Sequence, residues 1–135
     1  MATKPKLPNH YSGNIYFVEE LELNLKTNLS KELIRAKEEN GVSWKIKDCI
    51  LTFDEKSKME KLKFDIDDQV YAESYFTGFL YDDGKIRGKI IFTDTKYEPE
   101  IITGIYSKYK KNRIIAAGIW DDNNVKYNFI IELIC

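Results

Sequence analysis

A chain of 135 residues, 43% hydrophobic and 32% charged, is large enough to close one hydrophobic core without cross-links and too short for two ordinary domains. A net charge of −1 argues against electrostatic capture of nucleic acid as its main work, unless the basic residues are strongly segregated. No apolar run approaches the roughly 20 residues of a membrane helix, no apolar segment follows the basic start, and two cysteines are too few for a disulfide framework, so a cytoplasmic protein with no membrane association is expected.

Residues 1–10, with Pro5 and Pro8 among lysine and asparagine, read as a flexible tail ahead of a single domain over 11–135. From Tyr11 a period-two pattern carries Gly13, Ile15, Phe17, Leu21, Leu23 and Leu25 in one phase, which predicts a long strand or two strands joined by a bend near Glu19 and Glu20. Glu19 falls in the apolar phase. Either a bulge at Val18–Glu20 turns its carboxylate outward, or it faces the interior as a polar anchor, where desolvation would raise its pKa. Ser30 as a cap predicts a short helix over Lys31–Glu39, closed by Asn40 and Gly41. Leu33, Ile34 and Ala36 are its apolar contacts, so it must lie against something larger, and a lid over one end of a barrel is the expected place.

Next come Val42, Trp44 and Ile46, then Cys49, Leu51 and Phe53. The apolar phase flips at Asp48, which predicts a bulge there and makes Cys49 a core thiol. Leu62, Phe64 and Ile66 mark another strand, and the turn at Asp67-Asp68-Gln69 leads into Val70–Tyr81. The phrases Phe76-Thr77-Gly78-Phe79-Leu80-Tyr81 and Ile102-Thr103-Gly104-Ile105-Tyr106-Ser107 each set a glycine inside a strand-forming run, with looser echoes at Gly88 and Gly118.

Between the first phrase and its echo, Asp82-Asp83-Gly84 sets the register. A three-residue loop with Gly84 left-handed places Leu80 opposite Ile86, Gly78 opposite Gly88 and Phe76 opposite Ile90; a two-residue turn shifts the register by one. The three-residue loop is preferred because the apolar sets then coincide. It leaves Tyr75, Phe79 and Tyr81 on the other face beside Lys85, Arg87 and Lys89. Ile101–Tyr109 and Arg113–Trp120 pair around residues 110–112, with Asn112 suited to the left-handed position. The last hairpin, turning at Asp121–Asn124, puts Trp120, Gly118, Ala116 and Ile114 on the face of Val125, Tyr127, Phe129 and Ile131.

The fold class is therefore all-β with one short helix, an antiparallel up-and-down meander closing into a barrel of about eight or nine strands. The Gly-x-aromatic phrases and the early helix resemble the small calycin-type barrels, the lipocalin, fatty-acid-binding and avidin architecture, over roughly Tyr11–Leu133. That resemblance carries over no binding residue, since the lipocalin Gly-x-Trp belongs to the opening strand whereas Gly118-Ile119-Trp120 lies near the end.

His10 is the lone histidine and no phosphate-cradling glycine loop leads into a helix, so no catalytic residues are assigned, no cofactor is implied and an enzyme is not expected. No metal site is assigned either: Asp65, Asp67 and Asp68 do not have the spacing of a calcium loop. In a meander alternate turns share an end. One end then collects Asp65, Asp67, Asp68, Asp94, Glu98, Asp121 and Asp122, with Glu100, against Lys96 alone; the other collects Lys56, Lys58, Lys85, Lys108, Lys110, Lys111 and Arg113 beside Asp54, Glu55, Asp82 and Asp83. The leading expectation is a non-enzymatic interaction or inhibitor protein, immunity-like, whose acidic rim docks a protein partner. An alternative face, Tyr75, Phe79, Tyr81, Lys85, Arg87 and Lys89, suits another protein or stacked nucleobases, although nucleic acid is not the expected partner. The alternative function is a calycin-like carrier of a small apolar ligand, with the helix as its lid and Glu19 as its interior anchor. Oligomeric state is left open.

Overall fold

The period-two runs form eight antiparallel strands among the residues described by the computed structural model, which are 9–24, 26–39, 43–67, 73–110 and 112–135. They are β1 (Asn9–Val18), β2 (Ser43–Asp54), β3 (Met59–Asp67), β4 (Ser74–Leu80), β5 (Lys85–Phe92), β6 (Glu100–Tyr109), β7 (Arg113–Asp121) and β8 (Lys126–Ile134). Each pairs with the next, and β8 returns to β1, so the barrel is closed in sequence order and compatible with a calycin-like architecture. β1 begins at Asn9, and His10 pairs with Ile50, so the last two residues assigned to the tail belong to the barrel. The rest of that tail, together with Asp68 and Lys111, lies outside the described residues.

The registers follow the turn chemistry. Gly84 adopts a φ of 86°, and Leu80, Gly78 and Phe76 pair with Ile86, Gly88 and Ile90. Asn112 takes a φ of 54° in the β6–β7 turn. Ile114, Ala116, Gly118 and Trp120 of β7 pair with Leu133, Ile131, Phe129 and Tyr127 of β8. At the phase flip Asp48 has a φ of 51°, and β2 carries one extra residue there against both neighbours, so Ile46 and Cys49 point to the same side.

That side is the interior. Side chains from all eight strands form one continuous cluster, with Phe64 stacked on Phe76 at 4.9 Å across β3 and β4. The Phe76 ring lies over the Gly78–Gly88 pair: a Cβ at either glycine would come within 2.7 or 2.6 Å of ring carbons. The first glycine phrase and its echo at Gly88 therefore make room for an aromatic side chain, whereas a Cβ at Gly104 or Gly118 would meet the backbone of the paired strand. Cys49 is buried in the same cluster, and burial pushes its thiol up to about 12.

The helix, α1 (Leu29–Glu39), starts two residues before its expected first residue. Its cap is Asn28 in place of Ser30: the Lys31 N–H donates to Asn28 Oδ1 at 3.1 Å, and the Glu32 N–H to the Asn28 carbonyl at 3.2 Å. It is not a lid. Leu29, Leu33 and Ala36 pack against Val18, Ile115, Ala117 and Ile130, which point outward from β1, β7 and β8. The reason is composition. Residues 114–118 and 129–133 are buried in both phases, so these strands need a second layer outside as well as the core within. Leu21 and Leu23, expected to extend the first strand, instead pack onto this outer layer.

Candidate functional site

Helix and wall are joined by one buried charge. Glu132, 7% exposed on the outer side of β8, accepts hydrogen bonds from Lys37 Nζ of α1 at 3.0 Å and Arg113 Nε of β7 at 3.0 Å. Burial alone would raise its pKa, but the two cations outweigh burial and hold the carboxyl below its ordinary value. This triad joins the helix to the barrel wall.

Aromatic rings gather at one end of the barrel. Phe17 near the end of β1, Trp44 near the start of β2, Trp120 near the end of β7 and Tyr127 near the start of β8 meet at the mouth. Phe17 lies 4.8 Å from Trp44, 5.8 Å from Trp120 and 6.3 Å from Tyr127, centroid to centroid, and Trp44 lies 5.8 Å from Trp120 in a T-shaped contact. The Trp120 Nε1–H donates to Glu100 Oε1 at 2.8 Å. Burial, reinforced by Asp122 and Asp121, raises the Glu100 pKa against the lowering effect of that hydrogen bond. Beside the rings an open groove of about 610 Å³ runs between the end of α1 and the β1–β8 rim, lined by Phe17, Glu19, Glu39, Lys126 and Tyr127.

Part of the acidic set lies at this mouth. Asp121 and Asp122 are close enough to act on Glu100, and Asp94 and Glu98 lie in the connection that leads into it. Three of these carboxylates also hold turns. Asp121 accepts from the Asn123 N–H at 2.9 Å, Asp122 from the Asn124 and Val125 N–H groups at 2.9 and 2.6 Å, and Asp94 from the Lys96 N–H at 3.1 Å. The Val125 and Asn124 backbone donors keep Asp122 below the usual carboxylate range. Glu98 is exposed. Asp67 ends β3, but Asp65 is exposed one pair further down the wall, opposite Lys47 and Tyr75, so it is a wall residue. Glu19 is exposed at the bend that follows β1, and its carbonyl accepts from Asn128 Nδ2 at 2.9 Å. Of the two readings of Glu19 the structure shows the outward one, and the side chain faces solvent at the groove because the chain leaves the strand at Val18.

At the other end the cations are largely paired. Lys58 meets Glu55 at 3.2 Å, Lys85 meets Asp83 at 3.7 Å, Lys108 bonds to Glu60, and Arg113 serves Glu132. That rim is mixed in charge.

The aromatic-basic set does come together, on the outside of β4 and β5. Tyr75, Phe79 and Tyr81 are half-buried, and Arg87 and Lys89 are exposed. Phe79 pairs with Arg87 and Thr77 with Lys89, while the Arg87 guanidinium sits 5.6 Å from the Tyr81 ring centre. The β3 register adds two cations absent from the sequence-based set: Lys61 stands opposite Phe79 and Lys63 opposite Thr77, with Lys63 Nζ 5.0 Å over the Tyr75 ring. The alternation Lys61-Leu62-Lys63-Phe64 is the signal for them, since two inward apolar residues force both lysines outward.

Comparison with protein-family models, with curated proteins and with solved structures finds no match.

Proposed function

We propose that this chain is a non-catalytic binding protein of the cytosol whose barrel is a filled scaffold and whose acidic mouth docks a basic protein partner, in the manner of a small inhibitor or immunity protein. One observation carries the reading: the mouth is occupied by Phe17, Trp44 and Trp120 packed on the core, with Tyr127 at its exposed edge, while Glu100, Asp121 and Asp122 lie beside it. With the interior taken by side chains and the helix on the outer wall, the surface is what remains for recognition. Complementary charge at such a rim accelerates encounter and discriminates among partners.

The test starts with native mass spectrometry of the protein from its own host, which identifies what co-purifies. Association of that partner is then followed with the wild type and with a Glu19→Lys, Glu39→Lys, Glu98→Lys variant, all exposed positions outside the turn-holding aspartates. The expected result is slower association at low salt, with the gap closing as salt is added. Equal rates at low salt would refute the acidic-mouth reading.

A further inference from the structure

We propose that the outer wall of β3, β4 and β5 binds single-stranded nucleic acid, with rings on β4 stacking on bases and cations on the flanking strands holding phosphates. This goes beyond the acidic-mouth reading and does not rest on it.

The register assembles the surface in rows. Lys61 of β3, Phe79 of β4 and Arg87 of β5 stand side by side, and the next row is Lys63, Thr77 and Lys89. Tyr81 and Tyr75 extend the central line on either side, each with a cation over its ring, so Phe79 is the ring on which the assignment chiefly rests. The four flanking cations of the two rows are exposed, and the rings are half-buried. Asp65 and Asp67, in the outward phase of β3 at the Tyr75 end, are the acids of this wall among the described residues of β3 to β5. A chain of net charge −1 thus concentrates positive charge on one wall, which is the segregation that overall composition could not reveal.

The geometry favours an unpaired strand. Alternate residues of a β-strand lie about 6.8 Å apart, so Phe79 and Tyr81 offer successive stacking positions along β4 while each neighbouring strand supplies a parallel file of cations. In a duplex the base faces are already stacked on one another, and this convex wall presents no helix or ribbon to enter a groove. An acidic protein would satisfy the cations and leave the central line of rings without a role. The wall also faces away from the helix, since β4 lies four strands from β8 around the ring.

Fluorescence anisotropy of a labelled 12-nucleotide oligothymidylate with the full chain at 50 mM salt tests the assignment. Saturable binding is expected. Phe79→Ala should weaken it by roughly tenfold to a hundredfold. Lys89→Ala should lower affinity modestly and reduce the slope of log affinity against log salt by about 0.7, the loss of one phosphate contact on a single strand. The Glu19, Glu39, Glu98 variant should bind the oligonucleotide at least as well as wild type, which separates this site from the mouth. The thermal midpoint of each variant establishes that it is folded. No binding by the wild type, undiminished binding by a folded Phe79→Ala protein, or equal affinity for a duplex of the same length would overturn the proposal. Displacement by a polyglutamate peptide as readily as by unlabelled oligonucleotide would also overturn it and assign the wall to an acidic protein.

Discussion

Opposite each other across the barrel, β8 and β4 send their outward residues to different fates. Outward Ile130 and Glu132 of β8 are buried beneath α1, the isoleucine in an apolar layer and the glutamate between Lys37 and Arg113. Outward Tyr75, Thr77 and Phe79 of β4 remain half-exposed among lysine and arginine. The same alternating pattern thus yields a third structural layer on one side and an open surface on the other. What decides is whether the outward phase is apolar enough to demand cover, as in β7 and β8, or carries side chains that water can solvate, as in β3 to β5.

The contrast can be broken most strongly at Leu33, fully buried between helix and wall. Leu33→Ala should cost about 2–4 kcal/mol in urea unfolding, whereas Phe79→Ala on the open wall should stay within about 0.5 kcal/mol. Comparable losses at the two positions would mean that the open wall carries structural weight it is not assigned here.

Glu132→Gln comes next, at about 1–3 kcal/mol, because an amide cannot serve both cations as the carboxylate does. This effect depends on pH. The folded-state pKa of Glu132 lies below its unfolded value of 4.5, so its stabilisation is complete above that value and disappears as pH falls through the lowered one. Stability curves of wild type and variant should converge in acid; parallel curves would remove the triad from the account.

Glu100 at the mouth behaves in the reverse sense. Its folded pKa is raised above 4.5, so it favours the fold at low pH and loses that contribution as pH rises from 4.5 through the raised value. Trp120→Phe removes the one hydrogen bond that lowers this pKa and should move the carboxyl titration, followed by NMR, further upward. A downward shift would contradict the described mouth. At neutral pH the smallest effect is that of Phe79→Ala on stability, and its value lies in being small while oligonucleotide affinity falls by roughly tenfold to a hundredfold.

Local chemistry carried much of this fold in the open. Gly84 and Asn112 announce left-handed turn positions, the phase flip at Asp48 announces a bulge, and the parity of the last hairpin follows from whichever loop length joins it. The position of the helix is the exception. A lid over one end is what the helix suggests when the strands are followed in one phase alone; the second apolar phase of 114–118 and 129–133 is the signal that an outer layer covers those strands. Asn28 and Ser30 are both suitable caps, and the earlier start brings Leu29 into the buried cluster.

Sequence by itself determined the alternation, the turns and hence the neighbour-to-neighbour pairing, since these depend on residues a few positions apart. Only tertiary structure decided the ring of four aromatics from β1, β2, β7 and β8, the Lys37–Glu132–Arg113 triad, and the rows of cations flanking β4. Each joins residues from separate strands or from the helix, and their proximity follows from closure of the barrel and the burial of apolar surface on both of its faces, which no local pattern encodes.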